Sequence, residues 1–370
     1  MNNSFPVGDR IFDQAHPLVI AEIGTSHGGD LAKALELIDA AAETGAGCAK
    51  FQCVFADEIV HPNTGSVPLP GGPVRIYDRF KALELDESFY VTVKEKVEAR
   101  GMLFLCTPFG LKSARLLRRL GVKAMKVASP ELNHLPLIDE LASYALPTLV
   151  SSGVSTLADI ERSLNRLACP VLLLHCVTAY PAPAEDYNLR LLHGLSAVFG
   201  RPTGVSDHSM DPVLVPSLAI ASGAMAVEKH ICLSRNDPGL DDPIALPPAD
   251  FAAMVKAIKE AAELPAMATI AAMSERFGGE TVEAVLGDGV KRLARSEAAN
   301  YFRTNRSIHA LRTIKKGEVF AADNLALLRT EKVLRPGLDP ALLPTIIGRV
   351  ARRRIPSGEG IEMEDIGDLA

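Results

Sequence analysis

The chain has 370 residues, 48% hydrophobic and 23% charged, which places it among ordinary globular proteins and excludes a disordered polymer. Its formal net charge of -6 argues against general nucleic-acid binding, which draws on excess Lys and Arg, and no apolar run reaches the ~18 residues of a membrane span. The start, MNNSFPVGDR, lacks the basic-then-apolar layout of a secretory leader, so the expected compartment is the cytoplasm, and Cys48, Cys53, Cys106, Cys169, Cys176 and Cys232 read as reduced core thiols.

Between residues 18 and 233 eight short apolar runs alternate with helical patterns. They are LVIAEIG (18–24), AGCAKFQ (46–52), LFLCTPF (103–109), AMKVAS (124–129), TLVSSG (148–153), VLLLHCVTAY (171–180), TGVSDHS (203–209) and MAVEKHICL (225–233). After the first run, Asp30 is placed to cap a helix whose face would carry Leu31, Ala34, Leu35 and Ile38, with Gly45 ending it. Eight strand-helix units of this length predict a (β/α)8 TIM barrel over residues 1–265. The alternative, an open doubly wound sheet, lacks a GxGxxG after its first strand. Residues 266–300 read as a helical linker. Residues 301–370 contain an internal echo, IKKGEVFAADNL (314–325) and IPSGEGIEMEDI (355–366), which predicts a compact, pseudo-symmetric β-rich module.

The polar residues inside the apolar runs fall at the carboxyl ends of the strands, the face where such barrels carry their chemistry. MAVEKHICL is the sharpest case: strand alternation sends Glu228 and His230 to one side and Lys229 to the other, where Asp207 is placed to pair with it. His208 and His230 share the inward parity of neighbouring strands and could hold a divalent metal; the blander reading is two hydrogen-bonded core histidines. Lys50 and Lys126, with Thr107, Ser129, Ser151 and Ser206, offer cations and short donors suited to a phosphate. Glu22, Glu131 and Glu228 are carboxylates near the same rim, placed for proton transfer or for hydrogen bonds to a polyol.

The set AEIGTSHGGD (21–30), AKFQ (49–52), CTPF (106–109), KVASPE (126–131), SSG (151–153), HCVTAYP (175–181), SDH (206–208), EKH (228–230), PGLDD (238–242) and NRS (305–307) resembles the sialic acid synthase (N-acetylneuraminate synthase) family over nearly the whole chain. Its terminal module resembles that family's antifreeze-like (SAF) domain. The resemblance implies a transferase that condenses phosphoenolpyruvate with an N-acylated aldose. It implies His208 and His230 as ligands of a divalent metal, usually manganese, and Lys50, Thr107, Lys126, Ser129, Ser151 and Ser206 around phosphoenolpyruvate. Gln52, Glu131, Tyr180 and Asp241 would meet the sugar, and Glu22 and Glu228 would handle water and its protons. Arg306 would reach the N-acyl group across a domain-swapped homodimer.

The sequence departs from the family pattern at Ser26, Cys106, Thr178, Asp242 and Ala245, outside the phosphate and metal sets. The sugar stays open between N-acetylmannosamine, a diacetamido-trideoxyhexose of the legionaminic or pseudaminic type, and a less common aldose. A non-catalytic sugar- or phosphate-binding protein, or another barrel aldolase using Lys50 or Lys126 as a Schiff base, are the alternatives.

Overall fold

A computed structural model describes residues 4–69, 72–331 and 333–370. Eight strands, Leu18–Gly24 (β1), Cys48–Cys53 (β2), Leu103–Pro108 (β3), Met125–Val127 (β4), Thr148–Ser151 (β5), Val171–Cys176 (β6), Thr203–Asp207 (β7) and Ala226–His230 (β8), form one parallel sheet. Its order is β3-β2-β1-β8-β7-β6-β5-β4. The two end strands lie side by side and nearly close the ring, which is the predicted TIM barrel. Each strand sits within or against its apolar run. The runs overshoot at their carboxyl ends, because residues such as Thr178, Tyr180 and His208 lie in the loops beyond the ladder.

Alternation within each strand sorts the side chains into layers. Inside the ring, Leu18, Ile20, Cys48, Leu103, Leu105, Leu149, Leu172, Leu174 and Ala226 form one apolar plug, closed from below by Phe5 and Val7 of an N-terminal hairpin, Phe5–Val7 against Arg10–Phe12. Outside it, Ala21, Phe51, Phe104, Val150, Leu173 and Val227 pack against the helices. The first helix, Leu31–Glu43 (α1), starts where expected, with Asp30 accepting the N–H groups of Ala32 and Lys33 at 2.8 and 3.4 Å. Its buried face is Ala34, Leu37, Ile38 and Ala41, whereas Leu31 is exposed. The stripe follows the helical period toward the C-terminal turns rather than beginning at the first apolar residue.

Helices Pro248–Glu263 (α2), Ala266–Phe277 (α3) and Gly279–Leu286 (α4) follow the barrel, and Val282, Val285 and Leu286 join its outer core. An irregular segment then leads to the C-terminal domain. There Arg306–Ala310 (β9) pairs antiparallel with Leu325–Arg329 (β10), and Arg349–Ala351 (β11) with Ile366–Leu369 (β12).

The internal echo is structural. Ile314 and Ile355, which open the two copies, exchange backbone hydrogen bonds at 3.0 and 2.9 Å. Gly317 and Gly358, three residues on, adopt φ of 81° and 90°, a conformation that favours glycine. Asn324 and Asp365 occupy equivalent positions, and each accepts a backbone N–H three residues back at 2.9 Å, from Ala321 and Glu362. Phe320 and Ile361 are the matching buried anchors of this domain's own core. Among the described residues no helix is long and apolar enough to cross a membrane.

Lys229 faces away from the barrel axis and meets Asp207 at 2.5 Å, with Ser209 O accepting a second bond at 2.6 Å. Both side chains are fully buried, so each charge is tolerable only because of the other. Replacing Lys229 with Met should therefore cost about 3–5 kcal/mol, and adding Asp207→Leu should return part of that loss. Urea unfolding of the single and double variants measures both steps.

Candidate active site

The apolar plug stops one pleat short of the carboxyl ends. Continuing each inward row brings Glu22 above Ile20, Lys50 and Gln52 above Cys48, Thr107 above Leu105, Ser151 above Leu149, Cys176 above Leu174, and Glu228 and His230 above Ala226. These residues line a cavity of about 230 Å³ at the mouth, with Lys126, Ser129, Tyr180, Ser206, His208 and Asp241.

One wall is a network of buried charges. The Lys50 ammonium lies 2.8 Å from Glu22 and 3.6 Å from Glu228, and Lys126 lies 3.7 Å from Glu228. Short donors and acceptors complete it. Ser206 Oγ donates to Glu228 at 2.9 Å, Gln52 Nε2 to Glu22 at 2.8 Å, and Lys126 Nζ to Ser151 Oγ at 2.7 Å. Burial alone would push Lys50 down, but Glu22 and Glu228 outweigh it and hold the ammonium above the usual lysine range. For Lys126 burial wins over Glu228, so its pKa is lowered. Burial also opposes ionisation of Glu228, yet Lys126 and Lys50, helped by Ser206, bring its carboxyl down to about 2. The network sets both carboxylates against two buried amines that an incoming anion can claim.

The imidazoles of His208 and His230 stand beside this wall with ring centroids 5.6 Å apart, and Tyr180 packs 4.2 Å from the His208 ring. His208 Nδ1 donates to Val177 O at 2.9 Å, which leaves Nε2 free. Nδ1 of His230 is buried without a hydrogen-bond partner, 3.9 Å from Asp241 Oδ2. Burial lowers the His230 pKa, partly offset by Asp241, and a neutral ring is the form that binds a cation. Burial would lower the His208 pKa, but Cys176 and Val177 O raise it to about 9, so a divalent ion held by these two imidazoles and the nearby carboxylate would displace a proton from His208, with water or substrate in its remaining positions. No cluster of three or more His, Cys, Asp or Glu side chains with metal-ligand geometry is present among the described residues.

Two residues expected at the sugar lie elsewhere. Glu131 and Arg306 do not line the cavity; both are fully buried beneath its edge and joined at 2.5 Å. Glu131 also accepts from Arg329 at 2.6 Å, so one carboxylate serves two guanidinium groups. Arg306 spends its other donors on main-chain carbonyls, including Phe109 O at 2.7 Å and Ile59 O at 3.2 Å. Within the single chain it thus docks the C-terminal domain onto the barrel. Burial would raise the Glu131 pKa, but Arg306 and Arg329 together hold it well below the carboxylate range.

The cavity also contains residues that the sequence reading passed over. Arg329 reaches it from β10 and lies 5.4 Å from the Phe109 ring, and Thr304 borders the same edge. A cation ending the apolar run LALLR was the same signal that marked Lys50 and Lys126. Cys176 follows from strand parity alone. Asp242, a departure from the family pattern, stays outside the cavity and accepts from Gly239 N at 2.9 Å.

A parallel eight-stranded barrel with buried cations, carboxylates and imidazoles at its C-terminal mouth, followed by a small pseudo-symmetric β domain, defines a TIM-barrel enzyme carrying a SAF domain. The chain belongs to the NeuB family, which it matches over residues 37–268, with the SAF domain at residues 305–367. It is therefore an enzyme of the transferase class, a synthase that forms carbon–carbon bonds. The crystal structure of the spore coat polysaccharide biosynthesis protein SpsE of Bacillus subtilis, 31% identical, superposes with a TM-score of 0.82, covering 99% of this chain and 100% of that one. N,N'-diacetyllegionaminic acid synthase of Legionella pneumophila is 31% identical over 94% of each chain. The crystal structure of the N-acetylneuraminic acid (sialic acid) synthetase of Leptospira borgpetersenii is 28% identical, with a TM-score of 0.65 over 81% of this chain and 96% of that one.

Glu131→Gln should destabilise the protein by about 3–5 kcal/mol near neutral pH, because it leaves two buried guanidinium groups facing a neutral amide. The wild-type carboxyl is depressed, so its contribution is complete above the ordinary glutamate pKa of ~4.3 and is lost as pH falls towards its folded value. The gap between wild type and variant in denaturant titrations should accordingly narrow in acid.

Proposed function

We propose that this enzyme condenses phosphoenolpyruvate with an N-acylated aldose, N-acetylmannosamine or a diacetamido-trideoxyhexose, giving a nonulosonic 2-keto acid and phosphate. The observation that carries the reading is the meeting, in one cavity, of the Lys50–Lys126 wall with the facing imidazoles of His208 and His230. The names of the Legionella and Leptospira relatives, synthases of diacetyllegionaminic and N-acetylneuraminic acid, support the product class.

Lys50 and Lys126 bind the phosphate and carboxylate, with Thr107, Ser129, Ser151 and Ser206 filling the remaining lone pairs. A divalent cation held by His208 and His230, manganese by the resemblance, would supply Lewis-acid polarisation of the sugar aldehyde. Tyr180, Gln52 and Asp241 orient the open-chain sugar so that its C1 faces C3 of the enol. As the C3–C1 bond forms, positive charge develops at C2, where the side chains of Glu22 and Glu228 stabilise it. Water adds to C2, one of these carboxylates takes its proton and passes it to the alkoxide formed from the aldehyde oxygen, and the tetrahedral carbon expels phosphate, which takes the C2 hydroxyl proton as the ketone forms. The lysines stabilise the departing anion, and no covalent enzyme intermediate is needed.

Phosphate release from phosphoenolpyruvate should require both an aldose and a divalent cation, and a chelator or His208→Ala should abolish it. Lys126→Met should lower kcat/KM for phosphoenolpyruvate by ~10²–10³. Turnover insensitive to chelation, or none across a panel of N-acyl hexosamines with manganese, would sink the reading. A homodimer in which two chains exchange C-terminal domains belongs to the same proposal. A monomer mass by light scattering would remove that part of it.

A further inference from the structure

The irregular segment between α4 and β9 runs across the barrel mouth, and its Glu297 is buried there. Glu297 Oε2 accepts the N–H of Val154 at 2.9 Å and of Thr178 at 2.8 Å, and Oε1 accepts Ala294 N at 3.2 Å. Val154 and Thr178 lie just beyond β5 and β6, so one carboxylate ties two neighbouring mouth loops. Two further side chains of the segment grip the same loops from the other side. Asn305 Nδ2 donates to Val154 O at 2.9 Å, and Asn300 Nδ2 donates to Thr178 O at 3.1 Å.

Val154 needs holding. It is a buried β-branched residue at φ 42°, a left-handed conformation that such side chains avoid. Its neighbours leave no slack. Gly153 N donates to Ser129 Oγ at 3.0 Å, and a Cβ at Gly153 would lie 2.2 Å from Thr178 Oγ1 and 3.0 Å from Ser129 Oγ. Ser151, at the start of the same turn, accepts the Lys126 ammonium. Ser129, Ser151 and Thr178 all line the cavity.

We propose that Glu297 is a positioning residue for the reaction. By holding Val154 in its left-handed conformation, it fixes the turn that aligns Ser151, Ser129 and Lys126 on the anionic substrate. Its carboxylate does not touch substrate; it acts through the loop. The identity of that anion rests on the proposed function, whereas the mechanical role does not.

The test is a pair of variants of the full chain, Glu297→Gln and Glu297→Gln/Val154→Gly. Glutamine should raise KM for phosphoenolpyruvate ~10-fold, the scale of a lost charge-assisted hydrogen bond, and should speed amide exchange at Val154 and Thr178. Glycine adopts positive φ without an anchor, so the double variant should recover most of the lost affinity, which a merely structural defect would not allow. Wild-type KM in Glu297→Gln, or a loss that Val154→Gly fails to restore, overturns the inference. Inorganic phosphate, titrated into the same proteins and read by thermal shift, separates the two proposals. Weakened and restored phosphate binding in an enzyme that does not turn over phosphoenolpyruvate would fault the proposed function and support the role of Glu297.

Discussion

Two lysines persist inside an apolar barrel because two glutamates stand with them. An ammonium group taken out of water is costly unless a carboxylate lies close and its remaining hydrogens find acceptors. Lys50 and Lys126 meet that condition through Glu22, Glu228 and the hydroxyl of Ser151. The constraint reaches further, since Glu22 needs Gln52 and Glu228 needs Ser206, and those partners must come from strands β2 and β7 at the same height. The ring of strands, and its register, is what puts them there.

Much of this architecture was legible in the sequence, because a period of two is hard to disguise. In LVIAE, the inward row runs Leu18, Ile20, Glu22; in CAKFQ, it runs Cys48, Lys50, Gln52. The switch from apolar to polar along one row marks the height at which the packed interior gives way to the cavity. The same parity sorted Lys229 and Asp207 to the outside, where they pair. Cys176 was missed because a thiol looks apolar in any row. Glu131 and Arg306, expected at the sugar, pair with each other across 175 residues, and Arg306 reaches main-chain carbonyls 197 and 247 residues away; no local pattern encodes such contacts. Glu297 was invisible for the same reason: what matters about it is which N–H groups it accepts.

The C-terminal domain is bound to the barrel by polar groups that cannot be left unpaired. Glu131 joins Arg306 and Arg329, cross-strand partners at one end of the paired strands β9 and β10, so the domain edge and the cavity edge share one ion triad. Arg306 is wholly consumed by this docking, whereas Arg329 also reaches the cavity. The domain itself rests on two copies of one turn, joined at Ile314 and Ile355. It carries the Arg329 guanidinium at the rim.

The pairing of Lys50 and Lys126 with Glu22 and Glu228 has a kinetic corollary. Opposed charges a few ångströms apart cancel at a distance, and the chain as a whole carries a net -6. An anion diffusing towards this mouth is drawn by no long-range funnel, and its capture depends on displacing carboxylates after arrival. Its rate of association should then change little with ionic strength, unlike that of enzymes whose entrances are openly cationic.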